Sequence, residues 1–277
     1  MRKRVLVFDS GVGGLSVLDA IVATEASLDL DYVADNAWLP YGAKSDADLR
    51  ARVPALIAAV AREWAPEAVV VACNTASTIA LDAVRAALPI PVIGVVPPIK
   101  PAAALSKSGV IGLLATPATV TRPYTNDLVA RFAADKQVIR FGSTALVAAA
   151  EARLAGADIN QVAITEAIAG LFDAPGGDRL DVVALACTHF PLLLRELVAA
   201  APREVTWLDS GAAIAARLLS VVSSSAGAES VRLRRAGFTG DGRRVWEAFA
   251  ARGFSTRATI GAGPGFLVAP DPEDRYG

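Results

Sequence analysis

Cys73 and Cys187 are the only two cysteines of the 277-residue chain, and they stand in matching company. Val70-Val71-Ala72-Cys73-Asn74-Thr75 and Leu185-Ala186-Cys187-Thr188-His189 each run an apolar stretch into a small residue, a thiol and a threonine. A cysteine where a strand hands over to a helix meets unpaired backbone N–H groups that favour negative charge. The same setting lowers a thiol pKa from about 8.5 toward neutrality. Either thiol alone reads as a small buried hydrophobe, because free cysteine is among the most buried residue types. Two such loops, flanked by polar residues, favour chemistry. His189, the single histidine, is placed to tune the Cys187 thiol or shuttle a proton. Asp9 is its counterpart for Cys73, with a helix N-cap as the plainer reading. Gly11-Val12-Gly13-Gly14 fits neither GxGxxG nor GxxxxGK[ST], so it points to a tight turn and close approach by a small ligand rather than to a nucleotide.

Composition narrows the classes these groups can serve. Apolar residues make up 53% and charged residues 20%, enough to fill a large core and far from disorder. Twenty-seven Lys plus Arg against 28 Asp plus Glu leave a net charge of -1, so no general nucleic-acid or anionic-membrane surface is expected. After the basic start only Val5 to Phe8 is apolar before Asp9, too short for a signal-peptide core, and no run approaches the length of a membrane span. A cytoplasmic enzyme or binding protein is expected. One histidine and two cysteines fall short of the about four ligands a zinc site needs.

The elements that must position these groups alternate. Apolar runs at 5–8, 30–33, 68–72, 90–96, 110–114, 181–186 and 205–208 predict strands. A helix follows the first, with Leu15, Leu18 and Val22 on one side. Ser45 and Asp48 form a capping box for a helix to Trp64, in which Pro54 is expected to make a kink or a division. Further helices are predicted at 76–88, 119–133, 143–154, 159–173, from Pro191 to Ala200, and to Ser220. Residues 231–238 read as a strand and 243–251 as a helix. The serine-rich stretch 223–230 reads as a flexible insertion, and the chain from Gly261 as loosely held. Arginines 232, 234, 235, 243 and 244 make a basic cluster, read first as a solvated face. Alternation of this kind argues for α/β layers with mostly parallel sheets, whose ligands sit beyond the carboxyl ends of the strands, where every polar motif above falls.

With those residues in view, the chain resembles the glutamate racemases of the aspartate/glutamate racemase group. The matching stretches are Phe8 to Gly14, Pro40-Tyr41-Gly42, Ala72 to Ser77, Ala115-Thr116 and Cys187 to Pro191, with weaker echoes at Asp209-Ser210-Gly211 and Phe238-Thr239-Gly240-Asp241. The resemblance implies two pseudo-symmetric α/β domains, 1–97 plus 209–277 and 98–208, with the site between them. It implies cofactor-independent interconversion of L- and D-glutamate, with D-glutamate going to peptidoglycan. Asp9 and Cys73 would serve one face of the substrate, Cys187 and His189 the other, with Cys73 taking the proton from D-glutamate and Cys187 from L-glutamate. Asp9, Ser10, Pro40, Tyr41, Gly42, Cys73, Asn74, Thr75, Thr116, Cys187 and Thr188 fall where the family holds the amino acid, and Glu151 matches a further polar position. Ala186 and Phe190 depart from the glycine and tyrosine common there without removing a reacting group. A homodimer is expected; no residue pattern gives its geometry.

Inverting an α-carbon without a cofactor needs a base on one face and an acid on the other, and two fixed thiols supply both. Tuned thiols work best with a pKa near ambient pH, and donors preorganised at the carboxylate stabilise the charge that develops. Three other readings stay open at this point. An aspartate racemase would use the same pair in a shorter pocket. A thiol hydrolase would use Cys187 and His189 and leave Cys73 idle. An amino-acid-binding protein would use neither thiol.

Overall fold

The computed structural model of the chain describes residues 2–222, 230–261 and 268–270, the last by backbone alone. The first part of the chain builds β1 (Lys3–Asp9), α1 (Leu15–Val22), β2 (Leu28–Ala34), α2 (Asp46–Trp64), β3 (Ala68–Val71), α3 (Asn74–Ala87) and β4 (Val92–Gly94). Along β1, Val5 and Val7 enter one apolar cluster and Leu6 and Phe8 the other, the period-2 alternation of a strand covered on both faces. Each such fully buried side chain contributes about 1.5–3 kcal/mol.

The second part builds α4 (Ile99–Leu105), β5 (Val110–Ala115), α5 (Pro117–Thr121), α6 (Pro123–Phe132), β6 (Gln137–Gly142), α7 (Ala145–Leu154), α8 (Gln161–Phe172), β7 (Val182–Leu185), α9 (Leu194–Ala200) and β8 (Thr206–Leu208). The chain then returns to the first sheet through α10 (Gly211–Val221), β9 (Arg232–Phe238), α11 (Arg243–Ala250), β10 (Thr256–Ile260) and β11 (Val268–Pro270).

The first sheet runs β11-β10-β9-β2-β1-β3-β4 and the second β6-β5-β7-β8. The segments β2-β1-β3-β4 and β6-β5-β7-β8 have the same order, all parallel, so two α/β domains repeat one plan. Among the described residues only the β10–β11 pair is antiparallel. In each plan the strand order reverses beside the first strand, between β1 and β3 and between β5 and β7. A parallel sheet opens a crevice at such a switch point. Asp9 ends β1 and Cys73 follows β3; Thr116 follows β5 and Cys187 lies just past β7.

Several expectations change. Pro54 does not divide α2, which continues to Trp64 because its apolar face, from Leu49 and Val53 to Val60 and Trp64, is buried on both sides of the proline. The helix predicted at 119–133 is two helices, since Arg122 precedes Pro123 and takes an extended conformation (φ -64°, ψ 143°). Val22 is partly exposed rather than on the buried side of α1. Apolar runs did not predict α4, β6 or β10; β6 is a half-exposed edge strand with little apolar sequence to mark it. Val268–Pro270, expected to be loosely held, pairs with β10. The remaining tail and residues 223–229 lie outside the described residues. The basic cluster is partly structural: Arg232 and Arg235 pair with Asp29 and Asp31 on the neighbouring strand.

Candidate active site

Cys73 and Cys187 are both free, buried, and on the wall of one small cavity between the domains. Around them the cavity is lined by Ser10, Pro40, Tyr41, Gly42, Asn74, Thr75, Thr116, Thr188 and His189, all expected from the sequence. Ala186, from the second thiol loop, lines it too, together with Leu39, Thr119 and Val147. The cavity measures about 20 Å³, room for about one water molecule. In this arrangement the cavity is too small for an amino acid, so its walls must move apart to admit one.

The two thiols sit in unequal surroundings. Cys73 stands at the N-cap of the 14-residue α3, whose first N–H groups have no partner within the helix. Cys187 precedes only a short 3-10 turn, Phe190–Leu193, so the matching helix start expected there is weaker. Burial dominates at Cys73. It pushes the thiol up to about 12, with the Asp9 charge adding to the rise, against the Ala76 N–H and the Ser10 hydroxyl. The expected fall toward neutrality does not occur in this closed arrangement, because loss of water outweighs the helix end.

Asp9 is fully buried and is not the cap of α1, which begins at Leu15 after Gly14. Its Oδ1 accepts from the Gly11 N–H at 2.8 Å, and its Oδ2 accepts from the Thr188 hydroxyl of the other domain at 2.9 Å. Its link to Cys73 runs through Ser10, whose Oγ lies 3.5 Å from Asp9 Oδ1 and 3.6 Å from the Cys73 sulfur. Burial holds the Asp9 carboxyl above its ordinary range, while His189, Gly11 and Thr188 pull the other way.

On the other side, His189 Nδ1 lies 3.9 Å from the Cys187 sulfur and Nε2 lies 2.8 Å from Glu151 Oε1. Burial opposes its charged form, yet the contacts with Cys187 and Glu151 raise its pKa well above the usual imidazole value. An imidazolium with one N–H toward the sulfur and one toward a carboxylate fits that geometry. Glu151, on α7, also accepts from the Val12 N–H at 2.8 Å. It thus lies behind His189 and not on the cavity wall.

The glycine turn serves domain contact, which corrects the expected approach of a ligand. A Cβ on Gly13 would collide with the His189 ring and the Thr188 hydroxyl, and one on Gly11 would collide with Glu151. Gly11 to Gly14 do not line the cavity. Ser16 adds another contact across the cleft, its hydroxyl donating to the Thr188 carbonyl at 2.8 Å.

Of the three buried side-chain polar atoms without a partner among the described residues, one lies at this cavity. Asn74 Oδ1 is buried with no hydrogen-bond partner, an acceptor at the cavity beside Cys73. Tyr41 is the reverse case: it lines the cavity, but its hydroxyl already donates to Asp35 at 2.6 Å. No cluster of residues suited to a metal ion occurs among the described residues. None of the described helices is long and apolar enough to cross a membrane.

The model of the Asp/Glu/Hydantoin racemase family matches residues 8–218. A glutamate racemase of Sphingopyxis alaskensis is 53% identical over 222 residues, 80% of this chain and 83% of that protein. The crystal structure of Escherichia coli glutamate racemase in complex with L-glutamate and activator UDP-MurNAc-ala superposes with a TM-score of 0.87 at 40% identity, covering 96% of this chain and 100% of that one. A glutamate racemase of Bacillus anthracis gives 0.76 at 28% identity, over 90% and 93% of the two chains.

Proposed function

Since the chain belongs to the Asp/Glu/Hydantoin racemase family, we propose that it interconverts L- and D-glutamate without a cofactor, with Cys73 and Cys187 as the two bases. One observation carries this reading: two buried thiols, at equivalent points of two repeated sheets, face a single cavity. A hydrolase reading leaves Cys73 without a task, and a binding-protein reading leaves both thiols without one.

The residues divide the work. The sulfur on one face removes the α-proton while the thiol on the other face returns one, so each turnover exchanges their protonation states. Asn74 Oδ1 is the acceptor for the substrate ammonium. The first N–H groups of α3 and the Thr75 hydroxyl are the donors for the carboxylate where charge develops, while the Thr188 hydroxyl, donating to Asp9 Oδ2, holds that side chain in place. His189, held by Glu151, supplies positive charge at the Cys187 sulfur, and Asp9 acts on Cys73 through Ser10. Entry to the cleft hydrates Cys73 and lowers the cost of its thiolate; closure then excludes water and sets both sulfurs against the substrate.

The division into 1–97 plus 209–277 and 98–208, the homodimer, and the supply of D-glutamate to peptidoglycan in the cytoplasm belong to the same proposal. The test is a circular-dichroism assay with each enantiomer of glutamate and of aspartate, no cofactor added. Loss of optical signal with both glutamate enantiomers supports the reading, and turnover of aspartate alone overturns it.

A second, regulatory site is part of the proposal. The E. coli structure carries the activator UDP-MurNAc-ala. In this chain a separate cavity of about 670 Å³ lies at the two crossings between the sheets, by Pro97-Pro98 and Asp209-Ser210. Arg85, Lys100 and Arg217 contribute cations to its wall, and Phe132 an apolar face, which suits a phosphorylated sugar derivative. Titration with UDP-MurNAc-ala should change the rate, and Arg85→Ala with Lys100→Ala should abolish that response; an unchanged response removes this cavity from consideration.

A further inference from the structure

Asp35 carries a buried charge that the reaction does not use. It follows β2, is fully buried, and saturates its carboxylate with side chains from three separate stretches of the chain. Tyr41 Oη donates to Oδ2 at 2.6 Å and Thr239 Oγ1 to Oδ1 at 2.6 Å. Arg52 donates Nε to Oδ2 and Nη2 to Oδ1, both at 2.7 Å, and its guanidinium lies 4.4 Å from the Trp38 ring centroid. The Asp35 N–H in turn donates to the Asp9 carbonyl at 2.9 Å.

The segment this network holds is the one least able to hold itself. Between β2 and α2, residues 35–45 contain only two single 3-10 turns, Asn36–Trp38 and Tyr41–Ala43, so no strand ladder or helix fixes Pro40 to Gly42 on the cavity wall. Side chains must do so instead. The Phe238-Thr239-Gly240-Asp241 stretch supplies the outer half of that support. Gly240 N–H donates to Asn36 Oδ1 at 2.7 Å, Asn36 Nδ2 donates to the Asp241 carbonyl at 3.1 Å, and Ala37 N–H donates to Thr239 Oγ1 at 3.2 Å. Taking a carboxylate and a guanidinium out of water is costly, and such a pair is retained where it fixes a geometry.

We propose that Asp35 is a positioning residue for substrate binding: gripped by Arg52 and Thr239, it holds Tyr41 and so fixes the Pro40–Gly42 wall of the cavity. The inference rests on the racemase reading and adds to it a role for three residues outside the cavity. Asp35 touches no reacting atom. It sets how well the wall fits the substrate and leaves the proton transfers between Cys73 and Cys187 unchanged.

The experiment compares the full-length wild type with Asp35→Asn, Thr239→Val and Tyr41→Phe, measuring KM and kcat for both glutamate enantiomers and Kd for L-glutamate by calorimetry. Loss of a hydrogen bond to a charged group should raise KM and Kd about tenfold in Asp35→Asn. The rise should be equal for the two enantiomers, with kcat within about twofold of wild type, as expected of uniform binding. Combining Asp35→Asn with Tyr41→Phe should cost no more than the worse single variant, since both act through one contact. An unchanged KM and Kd beside a lowered Tm would make Asp35 purely structural, and a fall in kcat at constant KM would place it in the chemistry; either overturns the proposal. Thr239→Val, which removes one hydroxyl at constant shape, carries the same readout if Asp35→Asn does not fold. Wild-type protein that binds L-glutamate but does not racemise it overturns the racemase reading alone, and the Kd comparison still decides the role of Asp35.

Discussion

One ion pair acts as a clasp between the two sheet-bearing parts of the chain, and its strength can be measured. Arg122, between α5 and α6, donates Nη1 to both carboxylate oxygens of Asp46, at 3.0 and 2.9 Å, and Asp46 opens α2 in the other domain. The Arg122 side chain is 15% exposed and the Asp46 side chain 43%, so solvent screens the pair and its worth is that of a surface pair, about 0.5–1 kcal/mol. That energy favours the closed state by a factor of about two to five. Where the free protein in solution is mostly open and the substrate complex is closed, Arg122→Ala and Asp46→Ala should each raise KM by about that factor and leave kcat alone. The double variant should be no worse than either single. The Arg122 contact, with burial opposing it, holds the Asp46 carboxyl below its ordinary range, so the clasp is present at neutral pH and is lost as pH falls through that lowered value. Steady-state kinetics of the four proteins, at low salt and at about 1 M salt where the Debye length is about 3 Å, is the assay. Additive losses in the double variant, or an effect indifferent to salt, would refute the clasp.

Other consequences concern the thiols and their supports. Gly13→Ala should hold the cleft ajar, because overpacking costs about 1–3 kcal/mol, and lower kcat/KM by roughly 5- to 150-fold in a folded protein; wild-type kinetics would contradict the contact between Gly13 and His189. The chain has one histidine, so its imidazole gives a single NMR titration. His189 should hold its proton well above the usual imidazole range. Its charged contacts therefore stabilise the protein fully below the ordinary imidazole pKa, and this is lost as pH rises through the raised value. Glu151→Gln should move that loss to lower pH, and an unmoved titration would detach Glu151 from His189. Cys187→Ala should still wash the α-proton of D-glutamate into solvent deuterium without racemising it, and Cys73→Ala should do the same for L-glutamate; washout of the same enantiomer in both variants would contradict the assignment of faces.

Sequence was a good guide where a single stretch decided the outcome. The apolar runs before Cys73 and Cys187 predict strands covered on both faces, and both thiols do sit at strand ends. The Ser45–Asp48 box caps α2 as its residue types require. Guidance failed where distant segments decide. The same Cys73 that looks acidified by a helix end is raised by burial, with the Asp9 charge adding to it, and no local pattern encodes either. The glycines at 11 and 13 read as room for a ligand, and the room is taken by Glu151 and His189, more than a hundred residues away. Tyr41 matched the family's binding segment, but its hydroxyl points to Asp35, and the Thr239 echo found its meaning only when β9 was seen beside β2.

Two bases on opposite faces of the substrate leave a proton record that a reaction in deuterium oxide reads out. L-glutamate is incubated with the protein, the reaction is stopped early, and the α-position of each enantiomer is read by mass spectrometry after chiral separation. With two bases, D-glutamate should be fully deuterated at the α-carbon while the remaining L-glutamate keeps its proton, because the thiol that donates is not the sulfur that abstracts. Deuterium appearing equally in recovered L-glutamate at the same early times would mean one exchanging base, and would contradict the account.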